Sequence, residues 1–406
     1  MLLPKSKLTP NQTITLSGSK SESNRLLILQ KLWGNFAIDN LSNAQDTALL
    51  QKALASDQAV IDIHHAGTAM RFLTSYFAVQ EGRTVTLTGS QRMKERPIHH
   101  LVTALRDLGA TIDYLENEGL PPLKIQGKKL TKNCVEIPAH ISSQFITSLL
   151  LVATTLENGL EIHLTGTITS RPYLEMTVKL IAAIIGENIT FENNIIRISP
   201  TRKALPIRNF IVESDWSSAS YFYSLAALGR EPIQLNHFKK NSLQGDSALA
   251  NLYENFFGII TEFSDESTIS LSPLEHFPFP ERIALDMNDC PDIAQTLCVT
   301  ASGLKIPFEI TGLGTLKVKE TDRLVALKNE LLKIGTRTEI TENSIRSVKF
   351  EEAHSCPSIA TYNDHRMAMS FAPFCLIAPL EIEHPEVVEK SYPNFWEDLG
   401  KVTRPI

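Results

Sequence analysis

The sequence is short of the signatures that would declare a cofactor, metal or nucleotide enzyme. It has no CxxC pair, no HExxH, no GxGxxG and no GxSxG, and SGSKS at 17–21 resembles only the tail of a phosphate loop. Metal and redox chemistry therefore have no motif to rest on. His64-His65 and His99-His100 are adjacent pairs, which read as surface or cap residues rather than ligands. The five cysteines, Cys134, Cys290, Cys298, Cys356 and Cys375, are odd in number and scattered, as expected of reduced thiols in a cytosol. No apolar run approaches the ~20 residues needed to span a bilayer, and the first twenty residues lack a signal-peptide core. A cytoplasmic protein without a membrane partner is the expectation. Nor is there an excess of positive charge: the formal net charge is -6, which argues against a broad nucleic-acid surface.

What the sequence does have is an ordinary globular composition, 43% hydrophobic and 21% charged over 406 residues, enough for two cores. One pattern recurs six times. A polar or charged lip precedes a strongly apolar helix: KSESNRLLILQKL at 20, AGTAMRFLTSYFAV at 66, SSQFITSLLLVATTL at 142, SSASYFYSLAAL at 217, PDIAQTLCVTASGL at 291 and DHRMAMSFAPFCLIA at 364. Between most of them lies an amphipathic helix closing near glycine, such as RPIHHLVTALRDLGA, and short alternating strands such as TIDYLE, NITFE and TRTEI. A spacing of roughly 65 to 75 residues exceeds the ~20–50 of open solenoids, so a closed arrangement is expected. Helices apolar on every side belong inside a domain. The reading is α/β, with two similar domains, each of three βαβαββ repeats with buried parallel helices inside and sheets outside, an inside-out barrel. The best boundary lies around residue 211, before the fourth unit. The interval between Asp46 and Gly67 is short, so the first repeat is expected to be shortened.

The lips carry the chemistry. Helix starts expose unpaired N–H groups and a partial positive charge that suit anions. A Ser or Asp there is usually a cap and nothing more. Basic residues, however, gather at the same places: Lys20, Arg25, Arg71 and Arg366 at the buried helices, and Arg92, Lys94, Arg96, Arg171, Lys317, Lys319 and Arg323 where amphipathic helices begin. Cations at a helix N-terminus oppose its dipole, so their repetition points to bound anions held by guanidinium forks. Asp215, Asp292, Glu320, Asp322 and Asp364 stand beside them as ion-pair partners or as proton donors and acceptors.

SGSKSESNR, AGTAMRF, RMKERPI, SSQF, SRPY, DWSSASYF, MNDCPDIAQT, VKETDRL and YNDHRMAM occur in this order along nearly the whole chain. In that set and order the sequence resembles the 5-enolpyruvylshikimate-3-phosphate synthase family. The resemblance implies two domains, residues 1–18 with 212–406 and residues 19–211, closing over the substrates at a hinge. It implies transfer of the enolpyruvyl group of phosphoenolpyruvate to the 5-hydroxyl of shikimate 3-phosphate, with phosphate released, no cofactor, no metal and a monomer. Carried over residue by residue, Lys20, Ser21, Arg25, Ser142, Ser143, Gln144, Ser170, Tyr173, Asp292 and Lys319 would bind shikimate 3-phosphate. Lys20, Gly67, Arg96, Gln144, Arg323, Arg366 and Lys390 would clamp phosphoenolpyruvate. Asp292 would accept the hydroxyl proton, and Glu320 and Lys319 would be candidates for protonating the methylene carbon. Two positions depart from the family pattern: His65 and Thr315 stand where the family often has Asn. The competing readings are a UDP-N-acetylglucosamine enolpyruvyl transferase and a non-catalytic anion-binding relative.

Overall fold

In the computed structural model, residues 1–34, 36–186, 188–201, 206 and 208–406 are described. The chain divides into two compact units, one made of Met1–Gly18 with Glu213–Ile406 and the other of Ser19–Val212.

Among the described residues four four-stranded sheets, two in each unit, share one topology. In the first, Val60–Asp62 runs parallel to Thr84–Thr88, which is antiparallel to Leu123–Gln126, which in turn pairs with Thr111–Tyr114. Alternation buries Ile61, Val85, Leu87, Leu123 and Ile125 and leaves their neighbours outside. A parallel pair needs a crossover, and the helix Gly67–Ala78 supplies it. The same order joins Cys134–Pro138, Leu160–Thr165, Ile195–Ile198 and Ile189–Glu192 around the helix Ser143–Ala153. In the other unit it joins Ile283–Asp286, Phe308–Thr311, Ile345–Phe350 and Thr336–Ile340 around the helix Ala294–Gly303. The fourth such sheet is completed by Gln12–Thr15, which lies parallel to Ile233–Asn236. Among the described residues the strand Phe36–Asp39 pairs only with Arg208–Ile211, and the helix Gln45–Ala55 is followed directly by Val60–Asp62 of the next sheet. The architecture is mixed α/β, and among the described residues no sheet closes into a barrel.

The apolar helices pack on one another inside each unit. Lys20–Trp33, Gly67–Ala78 and Ser143–Ala153 touch mutually, and Ala294–Gly303 packs against both Trp216–Gly229 and His365–Phe371. Their scattered Ser and Thr residues are the stitching. The Ser148 hydroxyl bonds the Ser75 hydroxyl and the Arg71 carbonyl at 2.6 Å. Across the other trio Thr300 meets Ser224 at 2.7 Å, Thr296 meets Ser370 at 3.0 Å and Ser220 at 3.1 Å. Small hydroxyls allow close approach and find buried partners there.

Two expected helices are shorter than their apolar runs. The segment from His365 is α-helical only to Phe371, then tightens to a 3₁₀ turn over Ala372–Leu376, because Pro373 has no N–H to continue the ladder. The fifth run likewise opens with a 3₁₀ turn, Pro291–Ile293, before Ala294–Gly303. Among the described residues no helix is long and apolar enough to cross a membrane. The five cysteines are free thiols.

Candidate active site

In the unit that holds both termini, one guanidinium organises the charge. Arg323 opens the helix Arg323–Lys333, whose N-cap is Asp322. Its Nε donates to Asp364 Oδ2 at 2.6 Å, and its terminal nitrogens donate to Asp292 Oδ1 at 3.0 Å and Glu320 Oε2 at 2.9 Å. Three carboxylates thus converge on one fork. Asp292 is also held by Lys319 Nζ at 3.2 Å and by Arg366 at 3.2 Å, and its backbone carbonyl accepts from Arg366 at 2.9 Å. Glu320 additionally takes Lys390 Nζ. The sequence-expected residues Asp292, Lys319, Glu320, Arg323, Arg366 and Lys390 therefore form one cluster. They come from a 3₁₀ turn, a loop, two helix starts and the 3₁₀ turn Pro385–Lys390.

The electrostatics follow from that packing. Burial works to raise the Asp292 carboxyl, but Arg366, Lys319 and Arg323 overcome it and hold the group well below the usual carboxylate range. Burial lowers Lys319, with Asp292 opposing and Arg323 adding to the fall. Burial also works against the Arg323 charge, yet Asp364, Glu320 and Asp292 outweigh it and raise the group further.

The sequence reading placed Asp364 among the acids beside the basic residues without assigning it to either substrate, and it gave no role to Ser217 or Glu330. Asp364 caps the helix carrying Arg366 and grips Arg323; its place as an N-cap before HRMAM was visible, its distant partner was not. Ser217 accepts from Arg366 at 3.3 Å. Glu330 is fully buried and holds the approach to this helix, accepting from the Ala360 N–H at 3.0 Å and the Tyr362 hydroxyl at 2.8 Å. Tyr362 and Asn363 both adopt left-handed backbone, φ 53° and 54°, a strain that such clamps sustain.

The Ser19–Val212 unit presents a second group. Ser19 caps the helix that begins at Lys20, and Lys20 Nζ lies 3.3 Å from Asp46. Ser21 contributes its carbonyl to Arg25 at 2.7 Å. Arg25 is buried, its Nε on Thr177 at 2.8 Å and a terminal nitrogen on the Tyr173 carbonyl at 3.3 Å, and burial lowers it to about 10. Ser142 caps the helix starting at Ser143, and Gln144 Nε2 reaches Thr68 at 3.5 Å. Ser170 precedes the helix Arg171–Ile185 in left-handed backbone, φ 53°. Gly67 begins its helix directly under Arg96: a Cβ there would lie 2.5 Å from the guanidinium. Arg96 is buried and its Nε has no hydrogen-bond partner, so a cation stands against the positive end of a helix.

Other lip cations are held by their own neighbours. Arg71 is buried, bonding the Gly67 and Pro97 carbonyls at 3.2 and 3.3 Å. Arg92, Lys94, Arg171 and Lys317 form surface ion pairs with Glu95, Glu116, Glu175 and Glu342. Their charge is met by local acids, which a count of basic residues at helix starts overlooks. His65 is exposed beside Gln45, 3.3 Å away, and the Thr315 hydroxyl is buried without a partner.

Among solved structures, the chain resembles an EPSP synthase from Acinetobacter baumannii, with a TM-score of 0.74 at 21% identity, covering 100% of this chain and 98% of that one. It also resembles the enolpyruvyl transferase NikO from Streptomyces tendae, with a TM-score of 0.73 at 14% identity, covering 99% and 97%. Its fold is that of the enolpyruvyl transferases. The family model described as EPSP synthase (3-phosphoshikimate 1-carboxyvinyltransferase) matches residues 29–399, and the chain belongs to that family. It is 45% identical over 395 residues to the 3-phosphoshikimate 1-carboxyvinyltransferase of Bacteroides fragilis, covering 96% of this chain and 94% of that one. The protein of the same name from Haemophilus influenzae is 36% identical over 428 residues, with 96% of each covered.

Proposed function

We propose that this chain transfers the enolpyruvyl group of phosphoenolpyruvate to the 5-hydroxyl of shikimate 3-phosphate, releasing inorganic phosphate. The observation that carries the reading is the Asp292 cluster: a carboxylate 3.0–3.2 Å from Arg323, Lys319 and Arg366, with Glu320 on the same fork. Family membership supports it, and the names of relatives at 45% and 36% identity favour this acceptor over UDP-N-acetylglucosamine.

The chemistry has two steps. The 5-hydroxyl oxygen bonds to C2 of phosphoenolpyruvate while C3 takes a proton, giving a tetrahedral ketal. The C2–O bond to phosphate then breaks, phosphate leaves with the electron pair, and C3 gives up a proton to restore the double bond. We assign Asp292 as acceptor of the hydroxyl proton, and Lys319 and Glu320 as the groups that exchange the proton at C3. An Asp292 held this strongly as carboxylate is a weak base. It gains basicity when the substrate's anionic groups neutralise Arg366 and Arg323, so base strength is linked to occupancy. Arg323, Arg366, Lys390, Gly67, Arg96, Lys20 and Gln144 are assigned to phosphoenolpyruvate, whose phosphate and carboxylate call for guanidinium forks. Lys20, Ser21, Arg25, Ser142, Ser143, Gln144, Ser170 and Tyr173, with Asp292 and Lys319, are assigned to shikimate 3-phosphate. Of these, Arg25 is engaged throughout by protein groups, which supports a role in positioning Tyr173.

The two compact units are proposed as the two domains of the enzyme. The four like sheets are proposed as members of a set of six βαβαββ repeats, three in each unit, helices inside and sheets outside. The passage from Gln45–Ala55 straight to Val60–Asp62 supports a first repeat without its own hairpin. Phosphate release measured with both substrates tests the activity. Turnover is expected with shikimate 3-phosphate and none with UDP-N-acetylglucosamine; binding of both substrates without turnover would mark an inactive relative.

A further inference from the structure

Asp246 lies in the 3₁₀ turn Gly245–Ala248 and is 2% exposed. One carboxylate oxygen accepts the Ser217 hydroxyl, and the other has no hydrogen-bond partner. That hydroxyl in turn accepts from Arg366 at 3.3 Å, through the same nitrogen that lies 3.2 Å from Asp292. The order of donors is unambiguous: Arg366 gives to Ser217, and Ser217 gives to Asp246. A carboxylate at 246 orients the hydroxyl so that its lone pairs face the guanidinium. An acid at the start of the helix Leu249–Phe257 could serve that helix alone. A buried oxygen without a partner is costly for such a role and is better explained by proximity to a functional cation.

We propose that Asp246 is a positioning residue for phosphoenolpyruvate binding, holding the Arg366 guanidinium in place through Ser217 and tuning, by its own protonation, how much positive charge Arg366 offers the anion. The proposal rests on the assignment of Arg366 to phosphoenolpyruvate. The charged groups facing Asp246 are Asp292, Arg366 and Asp215, with the Cys290 thiol also near. Burial first, then Asp292, pushes its carboxyl up to about 6, against the pull of Arg366 and Ser217. A proton on the oxygen that has no partner leaves the Ser217 contact in place. Below that pH the site carries one negative charge fewer and favours the anion; above it Asp246 competes for Arg366.

The test is the steady-state KM for each substrate, with pH, in the intact enzyme. Asp246→Ala removes the acceptor; read at pH 5, where Asp246 has little charge to lose, it is expected to raise the phosphoenolpyruvate KM by about tenfold, the worth of one charge-assisted contact, while the shikimate 3-phosphate KM stays within about twofold. Asp246→Asn keeps an acceptor for Ser217 and cannot ionise. The ratio of wild-type to Asp246→Asn KM for phosphoenolpyruvate is expected to rise several-fold from pH 5 to pH 8, which cancels the titration of the substrate itself. A ratio flat across that range overturns the proposal, as does an Asp246→Ala effect equal on both substrates. Arg366→Ala separates the two claims. If it raises the phosphoenolpyruvate KM and the Asp246 variants do not, only the role of Asp246 falls. If it leaves that KM unchanged, the assignment of Arg366 falls as well.

Discussion

The guanidinium of Arg323 meets the carboxylate of Asp364 edge-on, Nε at 2.6 Å from one oxygen and a terminal nitrogen at 3.3 Å from the other, with both side chains buried. The pair ties the start of one helix to the start of another, 41 residues apart in the chain. It leaves the remaining nitrogen of Arg323 for Asp292 and brings Glu320 alongside.

Removing one partner of such a pair leaves a buried charge short of its counter-ion. Asp364→Ala is expected to cost about 3 kcal/mol, the low end for broken buried pairs because Asp292 and Glu320 still face Arg323. Asp364→Asn, which keeps a cap for the Arg366 N–H, is expected to cost less. Denaturant unfolding of both variants checks this, and equal stability to wild type would contradict it.

Asp292→Asn keeps the shape of the side chain and removes the base. We expect kcat to fall by about 10²–10⁴, the usual worth of a positioned general base. Phosphoenolpyruvate affinity should hold or improve, since Arg366 and Lys319 lose a competing carboxylate. Phosphate-release kinetics paired with calorimetry read both quantities, and a near-normal kcat would remove Asp292 from the mechanism.

The same residue predicts a pH effect on folding. Its folded carboxyl titrates well below the ~3.9 of an unfolded chain, so the stability it contributes is present above pH 4 and is lost as pH falls toward the folded value. The stability advantage of wild type over Asp292→Asn is expected to shrink by about 1 kcal/mol per pH unit below pH 4. A constant difference from pH 6 to pH 3 would show an ordinary carboxyl.

Gly67 has no room for a methyl group beneath Arg96. Gly67→Ala is expected to push the guanidinium aside and raise the phosphoenolpyruvate KM, by about tenfold or more if one bidentate contact is lost. The fold should survive, because Arg96 is a flexible side chain that can move. An unchanged KM would show that Arg96 does not bind this substrate.

The parts of the molecule governed by short-range rules were legible beforehand. Ser142 and Asp364 read as caps and are caps, and TIDYLE, NITFE and TRTEI contain strands. The 3₁₀ turn after Phe371 was also signalled, since Pro373 lies in that run, but the weight of apolar residues around it favoured a longer helix. Cation counts misled where a glutamate a few residues on, or a helix and a strand further along, neutralised the charge, as for Arg92 with Glu95 and Lys317 with Glu342. What could not be read was which distant acid each arginine meets. Asp292 and Arg366 are 74 residues apart, and only the packing of their helices decides that they touch.

The strand Gln12–Thr15 belongs beside Ile233–Asn236, and Ser6–Leu8 beside Thr403–Pro405. Both strands are therefore made well before the partners they pair with, and the whole of Ser19–Val212 lies in between. In the meantime the Ser19–Val212 segment, whose strand pairings among the described residues are internal to it, is free to collapse while the earlier strands wait as unpaired edges. Biogenesis of this chain is thus a matter of timing, with these two strands the ones most exposed to aggregation or to a holding chaperone.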